Sequence, residues 1–209
     1  MIIMPCVNPS RNQTTVLGEV RSLPMYSHSC FDEDFYSLVL WVMRQSGVYD
    51  RIDVIVPERL YPMKNISVGD NLKIEGEYRS KNMCNNGRNK LVLSVFAQNV
   101  ELIIDDIVHY ENSISLIGFV CKPVVLRCTP LNRRIADLML AVNRRSGKSD
   151  YIPCILWGRN AVYACDFRVG REISVKGRIQ SRIYLKREQN ETCEKLACEV
   201  SVNEVEIIS

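Results

Sequence analysis

Apolar side chains recur at every second position through several short stretches of this chain. ISLIGFV (114–120), IADLMLAVN (135–143), YIPCILW (151–157) and LACEVSVNEVEI (196–207) all show the period. A period of two sends alternate side chains to opposite faces of a strand, one toward a core and one toward solvent. Ser146-Gly147 reads as the hairpin tip between the second and third of these strands. GRNAVYACDF (158–167) has no Gly or Pro in its interior and predicts a short helix ending before Val169-Gly170. REISVKGRIQSRIY (171–184) supplies one more strand. The class is all-β, and five strands with a helix between the third and fourth is the order of the OB-fold barrel.

The same pattern occurs twice. Residues 37–56 and 137–156 share nine identities at an offset of one hundred: Leu38/Leu138, Leu40/Leu140, Val42/Val142, Arg44/Arg144, Ser46/Ser146, Gly47/Gly147, Asp50/Asp150, Ile52/Ile152 and Ile55/Ile155. After a one-residue slip, 67–80 matches 168–181 through Val68/Val169, Gly69/Gly170, Gly76/Gly177 and Ser80/Ser181. A third register pairs 91–102 with 196–207. The slips fall between strands, where loop lengths vary freely. Two tandem five-stranded barrels follow, and 209 residues suit two domains of about 100 each. The expected division is a flexible segment at 1–13, a first barrel at 14–104, a linker at 105–112 and a second barrel at 113–209, with the helix assigned to the second.

Charge separates the two copies. Residues 1–112 hold 11 Lys+Arg against 14 Asp+Glu, a balance of −3, whereas 113–209 hold 16 against 10, a balance of +6. A single-sign excess in one domain is the footprint of a polyanion binder. The nine cysteines are scattered, without a CxxC spacing, and neither His28 nor His109 joins a thiol cluster, so buried thiols in a reducing compartment are expected, with no metal and no cofactor. The apolar opening MIIMPCVNPSRNQ is too short for a signal peptide or a membrane span and carries Pro5 and Pro9. No membrane role is expected. Asp105-Asp106 and Asp32-Glu33-Asp34 lack the partners of a catalytic site, and no phosphate-loop or nucleophile-elbow motif is present, so the reading is of a protein that is not an enzyme.

The basic copy also carries the aromatics. Tyr151 and Trp157 are six residues apart, which puts both on one strand face, about 20 Å from each other at the strand rise. Such rings form a platform for unpaired bases, and Tyr184 at the end of strand four extends it. Arg144, Arg145 and Lys148 on the hairpin, Arg159 after the tryptophan, Arg178 and Arg182 on strand four, and Lys186 and Arg187 beyond it are candidate phosphate contacts. Nothing in this set reads base edges, so the expected ligand is a single strand of any sequence, with salt-sensitive affinity. The first copy has Arg51, Pro57 and Met83 at the ring positions. Trp41 shares a face with Val39 and Met43 and fits an interface or core better than a stacking role.

Residues 116–161 and 169–184 resemble the bacterial single-stranded DNA-binding protein and its primosomal relative. The resemblance rests on the LIGFV strand followed by Pro123, the LAVNR strand end, the aromatic opening strand three, the WGRNA helix start, and VGREISVKGRIQSRIY ending in an aromatic. It implies an OB-fold that stacks DNA bases on Tyr151, Trp157 and Tyr184, with Arg182 basic beside the last. It also implies a role in replication, recombination or repair in the cytoplasm at the nucleoid. Members with two barrels per chain pair as dimers, so a homodimer of four barrels is expected, with replication or primosome proteins as further partners. Those that recruit enzymes do so through an acidic, apolar tail; NEVEIIS reads instead as strand. A primosome-like adaptor that chiefly binds proteins, and an RNA-binding module, are the competing expectations.

Overall fold

The computed structural model describes residues 11–85, 88–104, 109–188 and 191–209, apart from the side chains of 84–85, 88–89, 185–188 and 191–193. Its elements are β1 (Asn12–Val20), β2 (Met25–Cys30), β3 (Glu33–Met43), β4 (Tyr49–Pro57), β5 (Asn71–Asn85) and β6 (Arg88–Ile103), then β7 (Glu111–Val120), β8 (Val125–Cys128), β9 (Arg134–Asn143), β10 (Ser149–Trp157), α1 (Gly158–Ala164), β11 (Glu172–Glu188) and β12 (Glu191–Ile207). Pairings β1–β3, β3–β4, β4–β6, β6–β5 and β5–β1 close the first barrel, and β7, β9, β10, β12 and β11 close the second in the same order. Only β4–β6 and β10–β12 are parallel among these pairings. The fold is two tandem OB-fold barrels, as the strand pattern predicts. Where the second has α1 between its third and fourth long strands, the first has two 3-10 turns, Glu58–Leu60 and Met63–Asn65.

Two short strands are additions to the pattern. β2 and β8 are exposed along their whole length and pair only with β3 and β9. Alternation is a record of one buried face, and a strand exposed on both faces leaves none. The helix ends at Ala164 rather than at Phe167, because Cys165, Asp166 and Phe167 donate to carbonyls three residues back, which tightens the chain into a 3-10-like turn. This turn tucks Phe167 into the core. Of the expected flexible segment 1–13, residues 1–10 lie outside the described residues, while Asn12 and Gln13 are in β1. Of the expected linker, 105–108 lie outside them and Glu111 opens β7.

Glycines permit the sharp features. Gly47 and Gly147, at φ of +79° and +80°, sit at the two hairpin tips. Gly76 and Gly177 lie at the bulges of β5 and β11, where a Cβ would run into the carbonyl oxygens of Phe96 and Ser201.

The barrels share one body. β1 lies between β5 on one side and β7 on the other, with Asn12 opposite Leu116 and Leu17 opposite Glu111, so twelve strands form a continuous sheet. Val16, Leu40, Ile52, Val54, Leu72 and Ile74 fill one barrel, and Leu116, Leu140, Ile152, Leu156, Ile173 and Val200 the other. Each such side chain contributes about 1.5–3 kcal/mol over exposure.

A pseudo-twofold seam locks the barrels together. The Arg44 guanidinium grips Asp50 and donates to the Ser181 carbonyl at 3.0 Å; the Arg144 guanidinium grips Asp150 and donates to the Ser80 carbonyl at 3.1 Å. In return, the Ser181 N–H donates to Asp50 and the Ser80 N–H to Asp150, both at 2.6 Å. Tyr78 is fully buried there, and burial holds its hydroxyl well above its ordinary pKa.

Candidate nucleic-acid interface

The outer face of β10 carries Tyr151, Pro153, Ile155 and Trp157, while Ile152, Cys154 and Leu156 point into the barrel. Tyr151 is 46% exposed and Trp157 36%, so both rings are open on one face. The floor between them is closed, because Ile155 is buried and Pro153 half-buried. Trp157 ends the strand immediately before Gly158, whose φ of +56° turns the chain into α1. Its indole N–H donates to the Ser201 hydroxyl at 3.2 Å, which fixes the ring's tilt. Ser201 lies on β12 opposite Ile155, the register that puts β12 next to the aromatic strand.

Across β12, the outward row of β11 is Arg178, Gln180, Arg182 and Tyr184, opposite Ser201, Glu199, Ala197 and Lys195. Tyr184 is 38% exposed, with the Arg182 guanidinium 5.6 Å from its ring centre. Buried Glu199 accepts from Gln180 and Arg182, each at 3.3 Å. Arg182 is thus half satisfied within the protein and half available to an anion.

The predicted cations separate by position. Arg145 and Lys148 on the β9–β10 hairpin and Arg159 on α1 are exposed and pair with no carboxylate among the described residues. The spacing also predicts Arg144 and Arg178 as phosphate contacts, but both are taken up at the seam. The guanidinium of Arg144 is divided between Asp150 and the Ser80 carbonyl. Arg178 donates to Asp50 at 3.0 Å and to Gln180 at 2.9 Å. Burial and then the neighbouring Arg44 lower the pKa of Arg178, against the pull of Asp50. The Lys186 and Arg187 side chains lie outside the described residues.

The matches to known proteins concentrate on this barrel. The model of the single-strand binding protein family matches residues 111–208. Single-stranded DNA-binding protein 3 of Streptococcus agalactiae serotype V is 38% identical over 80 residues, covering 35% of this chain and 58% of that protein. Single-stranded DNA-binding protein 1 of Streptococcus pyogenes serotype M18 is 36% identical over 80 residues, covering 35% and 62%. The chain spans a little over half the length of these curated relatives. The crystal structure of the wild-type single-stranded DNA binding protein from Thermus aquaticus superposes with a TM-score of 0.75 over 95% of this chain and 93% of that one, at 20% identity, a likeness of fold. That likeness extends to both barrels.

Outside the family-matched barrel, the first barrel has aromatics of its own at other positions. Where Tyr151, Trp157 and Tyr184 would fall it has Arg51, paired with Asp53, buried Pro57, and exposed Met83. One strand over, Trp41 lies opposite Arg51, 36% exposed, with the Arg21 guanidinium 4.2 Å above its ring and Tyr49 at 5.4 Å. Phe96 lies under the Arg79 guanidinium and beside Phe35, which His28 stacks upon. Alternation marks Trp41 as outward, but the cation above it comes from β1's far end and no local pattern announces it. Among the described residues no group of three His, Cys, Asp or Glu could hold a metal, and no helix is long and apolar enough to cross a membrane.

Proposed function

We propose that the second barrel binds single-stranded DNA without sequence preference, stacking bases on Tyr151, Trp157 and Tyr184 and placing phosphates near Arg145, Lys148, Arg159 and Arg182. The observation that carries this reading is the coincidence of three half-exposed rings on one sheet face with exposed Arg145, Lys148 and Arg159, which pair with no carboxylate among the described residues. Exposed rings are costly in water unless a ligand covers them, and every base offers a π-face, whatever its identity. Phosphate contacts without base-edge donors confer affinity, not sequence readout. The names of the relatives of this barrel support the same ligand. In this reading the domains divide at 105–112, the chain acts in the cytoplasm on strands exposed in replication, recombination or repair, and two copies associate into a four-barrel homodimer.

Fluorescence titration with a poly-thymidine oligomer, beside a duplex of equal length, tests the reading. Quenching by the single strand, weakened by salt and lost in Trp157→Phe but kept in Trp41→Phe, is the expected result. Equal quenching by the duplex, or quenching that follows Trp41, overturns it. A matched RNA oligomer binding as tightly would move the assignment to RNA, since stacking does not read the sugar. Sedimentation of the free protein tests the homodimer, for which a single-chain mass is the contrary outcome.

A further inference from the structure

Tyr151 sits where β10 has no strand on one side. β9 pairs with the whole of β10, but β12 joins only from Cys154 to Leu156. The Tyr151 N–H faces that open side, and it is satisfied from the other barrel: it donates to the Ser80 hydroxyl at 2.8 Å. Ser80 is itself held on both sides. Its N–H donates to Asp150, the residue before Tyr151, and its carbonyl accepts from Arg144. Ser80 thus takes the place of a ladder partner at the unpaired end of the aromatic strand, through a hydrogen bond one atom from the carbon that carries the ring.

We propose that Ser80, in the first barrel, is a positioning residue that sets the stacking ring of Tyr151 in the second. This rests on the DNA-binding reading of the second barrel. The pseudo-symmetry supplies an internal control. Ser181 makes the reciprocal contact, accepting from the Arg51 N–H at 2.8 Å while its own N–H meets Asp50, and residue 51 carries no aromatic ring. Both halves of the seam share the serine hydroxyl, serine N–H and serine carbonyl hydrogen bonds, and the Asp50 half has one more from Arg178; only the Ser80 hydroxyl ends on a base-stacking residue. Copy one is therefore needed by copy two even where it never touches the strand. Without the Ser80 hydroxyl the N–H turns to water, and the β10 end between Ser149 and Pro153 frays with its ring.

The test is a set of affinities for a poly-thymidine oligomer, with urea unfolding of each variant alongside. Ser80→Ala should weaken binding about three- to ten-fold, the span of one hydrogen bond, and Ser80→Thr, which keeps the hydroxyl, should restore it. Ser181→Ala should cost similar stability and leave affinity within about twofold. In a Tyr151→Ala background, Ser80→Ala should add nothing. Equal losses from the two serine variants, or a Ser80→Ala loss that persists in full without the Tyr151 ring, would overturn the proposal. Normal binding by Tyr151→Ala alone would instead overturn the stacking reading beneath it.

Discussion

At the scale of single residues, the environment of each ring decides its role. Trp157 is open to solvent yet anchored by its indole N–H on Ser201, so stacking on it costs little rotamer entropy. Trp157→Ala should weaken single-strand binding by about 1–3 kcal/mol in a protein that urea unfolding shows to be folded; an unchanged titration midpoint would show that the ring does not touch the strand. The thiols show the opposite case. Burial, reinforced by Asp53, raises Cys198 to about 11, and burial pushes Cys154 up further still. In the unfolded chain these thiols ionise near their ordinary pKa of about 8.5, so the unfolded state sheds protons first as pH rises. Stability contributed by the neutral thiols is complete below about pH 8.5 and is lost as pH climbs toward 11. Urea unfolding in reductant at about pH 8, below that range, and about pH 10.5, near its upper end, should show the decline, with a smaller decline in Cys198→Ala.

At the scale of elements, the proposed function divides the work between the β9–β10 hairpin and β11. Arg145 and Lys148 flank the Gly147 tip with no carboxylate paired to them among the described residues, so in the proposed function they would meet phosphate at the expense only of counterions. Replacing both with Ala should lower the slope of log K against log salt by about 1.4, at about 0.7 for each single-strand phosphate that is no longer neutralised. Arg144, one residue from Arg145, points into the seam instead. Its substitution by Met should act on stability, and a salt slope that falls as far as for Arg145 would contradict the assignment. The alternation within β9, β10 and β11 is readable from sequence because one face of each is buried against the core. β2 and β8 have no buried face and therefore no signature.

At the scale of the molecule, the seam makes two barrels one unit. Asp50 and Asp150 are almost wholly enclosed, and each meets the guanidinium of its own barrel's Arg44 or Arg144 and a backbone N–H from the other barrel. Asp150→Asn would leave Arg144 without its counter-charge in a partly buried site, at about 3–5 kcal/mol. Urea unfolding should register that loss, and Asp50→Asn should exceed it, because Arg178 loses its carboxylate as well. A small, equal effect of the two would mean that water replaces the ion pairs.

The sequence by itself determined the barrels, their number and the aromatic face, because periodicity, turn glycines and charge are local records of which side of a strand meets water. It also held an unread clue to the seam. Arg44/Arg144, Asp50/Asp150 and Ser80/Ser181 are identical in both copies, although only the second has Tyr151, Trp157 and Tyr184 at the ring positions. Residues kept in both copies serve what the copies share, which is each other. Only the tertiary structure decided which cations are free. Arg178 and Asp50 are 128 residues apart in the chain and meet because β1 pairs with β7 and brings two ends of different barrels together. An ion pair across such a distance has no period and no spacing, so Arg178 looks like Arg145 until the chain is folded.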